Sequence, residues 1–355
     1  MLLHLATAER TGGEGDRRIS GLCLTCASCV LGLASAWSGL AWSDEVPLTP
    51  AEGRNASGPG ERSPGVATET ALPPPPESVP SYEERRDLTA DLPYEYPLAE
   101  SPWTLQLMPM GLLYRSYLAG AKEPRFASYW NSDSDQGSLW DTALGGRLGL
   151  LRYGTCDPVH PEGWQVDLEG GCQARLDPNS DSTALLCVDF RVGVPVTWAQ
   201  GRWQFKTGYY HVSSHLGDEF LLLNPAARRL NYTRDAIPLG VGFFWTEQLR
   251  VYGETACALG HGGGAEPWEL QFGADWVPAC NTGVLGAPFA AVNGHLRQEI
   301  DFGGNFVLQA GWAWRRFPRG SLFRIGVEYF WGKSDQYEYY DRSEERIGWG
   351  LWADF

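Results

Sequence analysis

Phe323, Ile325, Val327, Tyr329 and Trp331 are apolar at every second position, with Arg324, Gly326 and Glu328 among the residues between them. A period of two belongs to a β-strand, whose side chains point alternately to opposite faces. The alternation recurs along the chain. Trp164, Val166, Leu168, Cys172 and Ala174 alternate with Gln165, Asp167, Glu169, Gln173 and Arg175, and Leu186, Val188, Phe190, Val192, Val194 and Val196 with Asp189, Arg191, Gly193 and Thr197. Trp268, Leu270, Phe272, Ala274 and Trp276 alternate with Glu269, Gln271, Gly273 and Asp275. Segments this long, with tryptophan at their margins, fit strands tilted across a bilayer better than the short strands of soluble sheets. One face then meets hydrocarbon.

The stretch RIGWGLWADF at 346 to 355 repeats the pattern, with Ile347, Trp349, Leu351, Ala353 and Phe355 on one parity. Sixteen Trp, 15 Tyr and 43 Gly supply interfacial aromatics and small residues for a crowded interior. Mean hydropathy is below zero, as alternation makes it: half of every membrane strand is polar. The formal charge of −15 argues against a nucleic-acid partner, which would need a basic face.

Candidate strands fall near 345–355, 320–334, 304–316, 286–298, 266–277, 249–261, 230–247, 201–213, 182–198, 162–175 and 139–153, with one irregular strand within 103–131. The expected fold is all-β, a transmembrane antiparallel up-and-down β-barrel of about 12 strands over 103–355. An even number places both barrel ends in the periplasm. Short turns at 198–201, 246–248 and 317–320 then lie on that side, and the polar stretches 214–229 and 334–345 become outside loops. The inward parity carries both signs: Arg147, Arg175, Arg191, Lys206, Arg250, Arg297, Arg315 and Arg324 against Asp167, Glu169, Asp189, Glu254, Glu269, Asp275 and Glu328. Mixed signs favour an interior filled by its own side chains over an open channel.

Arg17 and Arg18 precede an uncharged run from Ile19 to Ser43 that ends in small residues, the pattern of a secretory signal over 1–43, cleaved after Ala36 or Ser43. Cys26 stands where a lipobox requires Leu, against a lipid-modified Cys29. From 44 to 102 the chain has a PPPP run and almost no apolar periodicity, a disordered periplasmic linker with at most a helical turn or two at 81–88. Removal of the signal leaves Cys156, Cys172, Cys187, Cys257 and Cys280. An odd count excludes complete pairing, and Cys156 with Cys280, both in expected turns, is the candidate disulfide.

In GRWQFKTGYYHVSSHLGDEF, from Gly201 to Phe220, Trp203, Phe205 and Tyr209 mark the odd parity as lipid-facing, which sends His211 and Ser213 the same way. A histidine and a hydroxyl directed at hydrocarbon call for an interface or a task. In the next strand Ile237, Leu239, Val241, Phe243 and Trp245 face lipid, so Asn231 and Asp235 also point outward. Placing Trp203 and Trp245 at one height sets Ser213 opposite Asp235 and His211 diagonal to it. A base, a nucleophile and an orienting acid are the elements of a Ser-His-acid site. The bland alternative is a set of rim residues that contact headgroups.

Gly208-Tyr209-Tyr210-His211-Val212-Ser213 resembles the G-Y-x-H-x-S stretch of outer-membrane phospholipase A, and its H-x-S pair resembles that of lipid A deacylases. The resemblance covers about a dozen residues and departs at Ser214, where those families have Asn. It implies a lipid acyl-ester hydrolase at the outer leaflet, with His211 as base and Ser213 as nucleophile, and leaves Asn231 and Asp235 as rivals for the third role. Over the last two-thirds of the chain, YRSYLAGAKEPRF, YYHVSSHLGDEF and NYTRDAIPLGVGF resemble an uncharacterised family of planctomycete-type bacteria, domain of unknown function 1207, which supplies no activity. Asp218 and Glu219 are candidate ligands for a calcium ion bridging lipid phosphates. The expected setting is the outer membrane, with lipids as partners and the assembly machinery engaging the C-terminal strand. A narrow passive pore and a structural barrel are the competing functions. If that machinery reads the alternating C-terminal strand, deleting Phe355 lowers the yield of heat-modifiable, folded barrel; unchanged assembly counts against this expectation.

Overall fold

The computed structural model describes residues 102–156, 160–278, 282, 285–315 and 321–355. The signal, the linker with its helical turn at 81–88, and Cys280 lie outside these residues.

Thirteen strands form in chain order: β1 (Thr104–Leu107), β2 (Phe126–Asp133), β3 (Gly137–Gly154), β4 (Gly163–Asp177), β5 (Ala184–Gln200), β6 (Trp203–Leu216), β7 (Thr233–Phe244), β8 (Leu249–Gly262), β9 (Trp268–Trp276), β10 (Ala287–Arg297), β11 (Gly303–Arg315), β12 (Leu322–Lys333) and β13 (Ser343–Asp354). From β2 onward each strand pairs antiparallel with the next, and β13 pairs with β2. The result is a closed up-and-down barrel of 12 strands. Closure leaves no open edge from β2 to β13, the condition for a sheet in lipid, and the four residues of β1 are paired with β3 alone among the described residues. β2 begins and β13 ends on one rim, here the terminal rim; the opposite one is the far rim.

The irregular first strand is divided. β1 and β2 lie along the same edge of β3: Leu107 is paired with Leu151, and Ala127 with Ala143. Between them the chain leaves the wall: Met108 and Met110 are still exposed, and residues 112–125 pack into the lumen. Leu113, Tyr114, Tyr117 and Ala119 are fully buried there. No alternation marks this segment because its neighbours surround it on all sides.

Outward and inward faces follow the parity. Val327 is 58% exposed and Leu239 60%, while Arg324, Arg175 and Asp167 are fully buried. Apolar side chains outside and charges inside invert the arrangement of a soluble protein. The inward charges pair: Arg147 with Asp167, Arg191 with Glu169 at 3.0 Å, Lys206 with Glu254, and Arg250 with Asp275 at 3.3 Å. A buried charge without a partner is strongly unfavourable, so the pairing is what lets the interior hold them.

The inserted segment is held by the same groups. Arg250 donates to the carbonyls of Arg115 and Ser116, and Arg324 to that of Leu118. Tyr117 stacks on Tyr252 with centroids 3.9 Å apart and donates to Glu254. Lys122 pairs with Asp189. At the far rim the β12–β13 loop, 334–342, folds inward: Asp335 pairs with Arg175 and Arg346, and Tyr337 stacks on Tyr232. Burial works against the Asp335 charge, yet the two guanidiniums hold its carboxyl below the usual range. A remaining cavity of about 40 Å³ near the terminal rim, lined in part by Arg115, Arg250 and Asp275, holds a few waters at most. In planar bilayers the refolded barrel should therefore conduct far less than an open 12-stranded pore, and Arg250→Ala with Arg324→Ala should raise the conductance by loosening the segment. A large steady wild-type conductance would contradict a filled lumen.

Candidate lipid-facing site on the barrel wall

β6 and β7 bring three outward residues together near the far rim. Asp235 pairs with His211 across the ladder, with Nδ1 of His211 2.9 Å from Oδ1 of Asp235. Tyr209, two residues before His211 on the same face, donates its hydroxyl to the same carboxylate oxygen. His211 and Asp235 are each a little over a third exposed. A carboxylate on a lipid-facing wall is costly, and two donors on one oxygen offset part of that cost.

The register differs from the sequence expectation by two residues. Trp203 pairs with Phe243, and Ser213 faces Thr233. Trp245 lies beyond the end of β7 in the turn to β8, so it shares the aromatic rim with Trp203 but has no place in the ladder. A shift of two preserves the face of every side chain and changes only who sits opposite whom. Here it moves Asp235 from serine to histidine, the partner an orienting acid requires.

Ser213 stands between His211 and His215 on one face of β6. His215 packs beside Phe190, and its Nε2 has no hydrogen-bond partner among the described residues. Only His211 of the two has a carboxylate to fix its ring. Since that carboxylate accepts, Nδ1 of the neutral ring carries the proton and Nε2 keeps a free lone pair. No hydrogen bond joins Ser213 to His211 among the described residues. Their Cα atoms are about 6.7 Å apart along the strand, a gap that the two side chains can close from one face.

Asn231 is placed elsewhere. It sits before β7 with φ 51°, and its backbone N–H donates to Glu338 Oε1 at 2.8 Å. Ser214, where the G-Y-x-H-x-S resemblance departs, points inward and donates to Asp189, so the departure does not touch the outward face. Asp218 and Glu219 open a short helix, α1 (Asp218–Leu223), and Glu219 accepts from the Leu185 N–H and the Ser182 hydroxyl. No third carboxylate, histidine or cysteine joins them among the described residues. Two carboxylates fall short of the six to eight oxygens of a calcium shell, and no step is derived through the ion. Cys156, whose expected partner is Cys280, has its sulfur 3.3 Å from the Thr104 hydroxyl.

Sequence reading took Tyr209 only as a marker of the lipid face. The signal was available: Tyr209, His211 and Ser213 share one face at successive positions. Two backbone irregularities frame the group. The β7–β8 register shifts between Asp235 and Ala236, leaving Leu259 of β8 bulged and 71% exposed beside Gly260, the partner of Asp235. Bulges of this kind re-aim a side chain. Below the group, the paired positions of β6 and β7 break off after Lys206 and resume at Tyr210, and Gly208 has φ 130°.

The outward apolar belt, charged lumen and closed wall define an outer-membrane-type β-barrel. Within that class, the chain belongs to the family described as Protein of unknown function (DUF1207), which matches residues 95–355. No curated protein matches the sequence at a significant level. Among solved structures it is similar to outer membrane phospholipase A from Escherichia coli, at 12% identity, covering 68% of this chain and 91% of that one with a TM-score of 0.44. The Salmonella typhi outer membrane phospholipase dimer with bound calcium gives 11% identity, 68% and 92% coverage and a TM-score of 0.44. A mutant Rh. blastica porin gives 9%, 65% and 99%, and 0.29. These likenesses are of barrel form alone.

A Cβ on Gly208 would lie 2.3 Å from the Val194 carbonyl oxygen and 2.9 Å from Pro195 Cα. Gly208→Ala should therefore lower stability by roughly 1–3 kcal/mol, read as a lower urea midpoint of the refolded barrel. An unchanged midpoint would mean that the strand accepts the side chain without strain.

Proposed function

We propose that the protein is a lipid acyl-ester hydrolase of the outer membrane, with its far rim at the outer leaflet and its terminal rim and the 44–102 segment in the periplasm. The observation that carries this reading is the Asp235 carboxylate on the lipid-facing wall, accepting from both His211 and Tyr209. A structural wall gains nothing from a charge there, whereas a hydrolase needs one to fix its base.

Nε2 of His211 takes the Ser213 hydroxyl proton as Oγ attacks the ester carbonyl of a lipid lying along the wall. The tetrahedral adduct collapses, and the imidazolium returns the proton to the departing alcohol. Water then enters the acyl-serine, activated by His211 in the same way. Asp235 holds the ring's tautomer and stabilises the imidazolium, and Tyr209 holds Asp235. The filled lumen speaks against the passive pore; a barrel without catalysis is the rival.

The test is refolded protein incubated with phospholipid and, separately, with lipid A, followed by mass analysis of released fatty acid. Ser213→Ala should lower release by about 10³-fold or more with a heat-modifiable barrel retained. Asp235→Asn and Tyr209→Phe should slow it less. Full activity in Ser213→Ala, or no release by the wild type from either lipid, ends the hydrolase reading.

A further inference from the structure

The β6–β7 loop, 217–232, stands on the far rim, joining the strands that carry His211 and Asp235. Its helix α1 has two dissimilar faces. Phe220 and Leu221 pack against the buried cluster of Cys187, Leu216 and Tyr339. Leu222 and Leu223 point away and are 80% and 73% exposed. Five residues on, Arg228 and Arg229 are both exposed, and neither has an ion pair or hydrogen-bond partner among the described residues. In a chain of net charge −15, two adjacent unpaired guanidiniums are a local exception. The nearest acids in the loop are spoken for or distant in sequence: Glu219 is bonded to the β4–β5 connection, and Asp218 begins α1.

Two exposed leucines and two free arginines carried by one rim loop, at the end of a barrel with an apolar wall, match the boundary between acyl chains and phosphates. The leucines have apolar surface to bury, which water does not take. The arginines present planar forks suited to phosphate oxygens. The loop's backbone is itself fastened to the lumen cap, since Glu338 accepts from the N–H groups of Leu230 and Asn231 at 2.9 and 2.8 Å. The arginines are therefore carried on a loop whose end is fixed.

We infer that loop 217–232 is a lipid anchor selective for anionic phospholipid, with Leu222 and Leu223 entering the acyl-chain boundary and Arg228 and Arg229 receiving the headgroup phosphate. The anchor does not depend on hydrolysis and stands if the wall below it is inert. It would bring phosphate-bearing lipids to the strands that carry His211, Ser213 and Asp235.

The experiment uses the full refolded chain in micelles holding equal amounts of phosphatidylglycerol and phosphatidylcholine, with lipids retained on the intact barrel counted by mass spectrometry. The wild type should retain phosphatidylglycerol over phosphatidylcholine by about fivefold to 30-fold, the range expected of one to two basic side chains at a charged bilayer surface. The preference should weaken as salt is raised. Arg228→Gln with Arg229→Gln should bring the ratio near one, and the paired Arg→Lys variant should keep most of it. Leu222→Ser with Leu223→Ser should lower retention of both lipids while preserving their ratio. Heat modifiability verifies the fold of each variant. Equal retention by the wild type, an unchanged ratio in the Gln variant, or undiminished retention in the Ser variant overturns the proposal. So does a change of oligomeric state in the Gln variant at constant lipid ratio, which would make the loop a contact between copies.

Discussion

Hydrocarbon cannot hydrogen-bond, so every N–H and C=O of a lipid-exposed sheet must find its partner within the sheet. The pairing of β13 with β2 meets that demand, and much else follows from it. A closed sheet has an outside that must be apolar and an inside that lipid never reaches. Most charges placed in the strands turn to the lumen, where Arg147 with Asp167 and Arg191 with Glu169 neutralise each other. The barrel is small enough for its own chain to fill it.

That filling is done by the part of the chain that does not behave as a strand. Residues 108–125 interrupt the first strand and from 112 onward pack into the lumen, where their backbone carbonyls accept from Arg250 and Arg324. The arginines thus serve two purposes, as partners of acids on the wall and as donors to a segment that would otherwise carry unsatisfied carbonyls. From the other rim, the 334–342 loop brings Asp335 to Arg175 and Arg346. Wall, inserted segment and loop are tied by several buried ion pairs, so removal of one member leaves a buried charge on its partner.

On the outer wall the same rules give the candidate site its contrast. His211 and Asp235 lie on the face where polar groups are disfavoured, and they are held by each other and by Tyr209 rather than by the lumen. The bulge beside Asp235 and the left-handed Gly208 below Tyr209 are departures from regular strand geometry, and both occur within a few residues of this group. Bulges and positive-φ residues recur beside functional groups, and here they flank a hydrogen-bonded carboxylate on the outer wall.

Strand identity, strand number and the face of most side chains were legible in the sequence, because a period of two survives any register outside the bulges and β12 carries it without a break from Phe323 to Trp331. Mixed inward signs already indicated a filled interior. What filled it was not legible: residues 112–125 have no period, since a segment surrounded on all sides has no polar face to alternate with. Outward placement of His211, Ser213 and Asp235 came from parity alone, but which of them meet did not. Trp203 and Trp245 share a rim without sharing a ladder position, and the true register, Trp203 with Phe243, depends on where β7 gives way to its turn. A slip of two residues is invisible to parity, and it decides whether the carboxylate faces serine or histidine. That Asp235 rather than Asn231 lies against His211 was likewise tertiary: Asn231 sits before β7, with its backbone N–H bonded to Glu338 from a loop a hundred residues away.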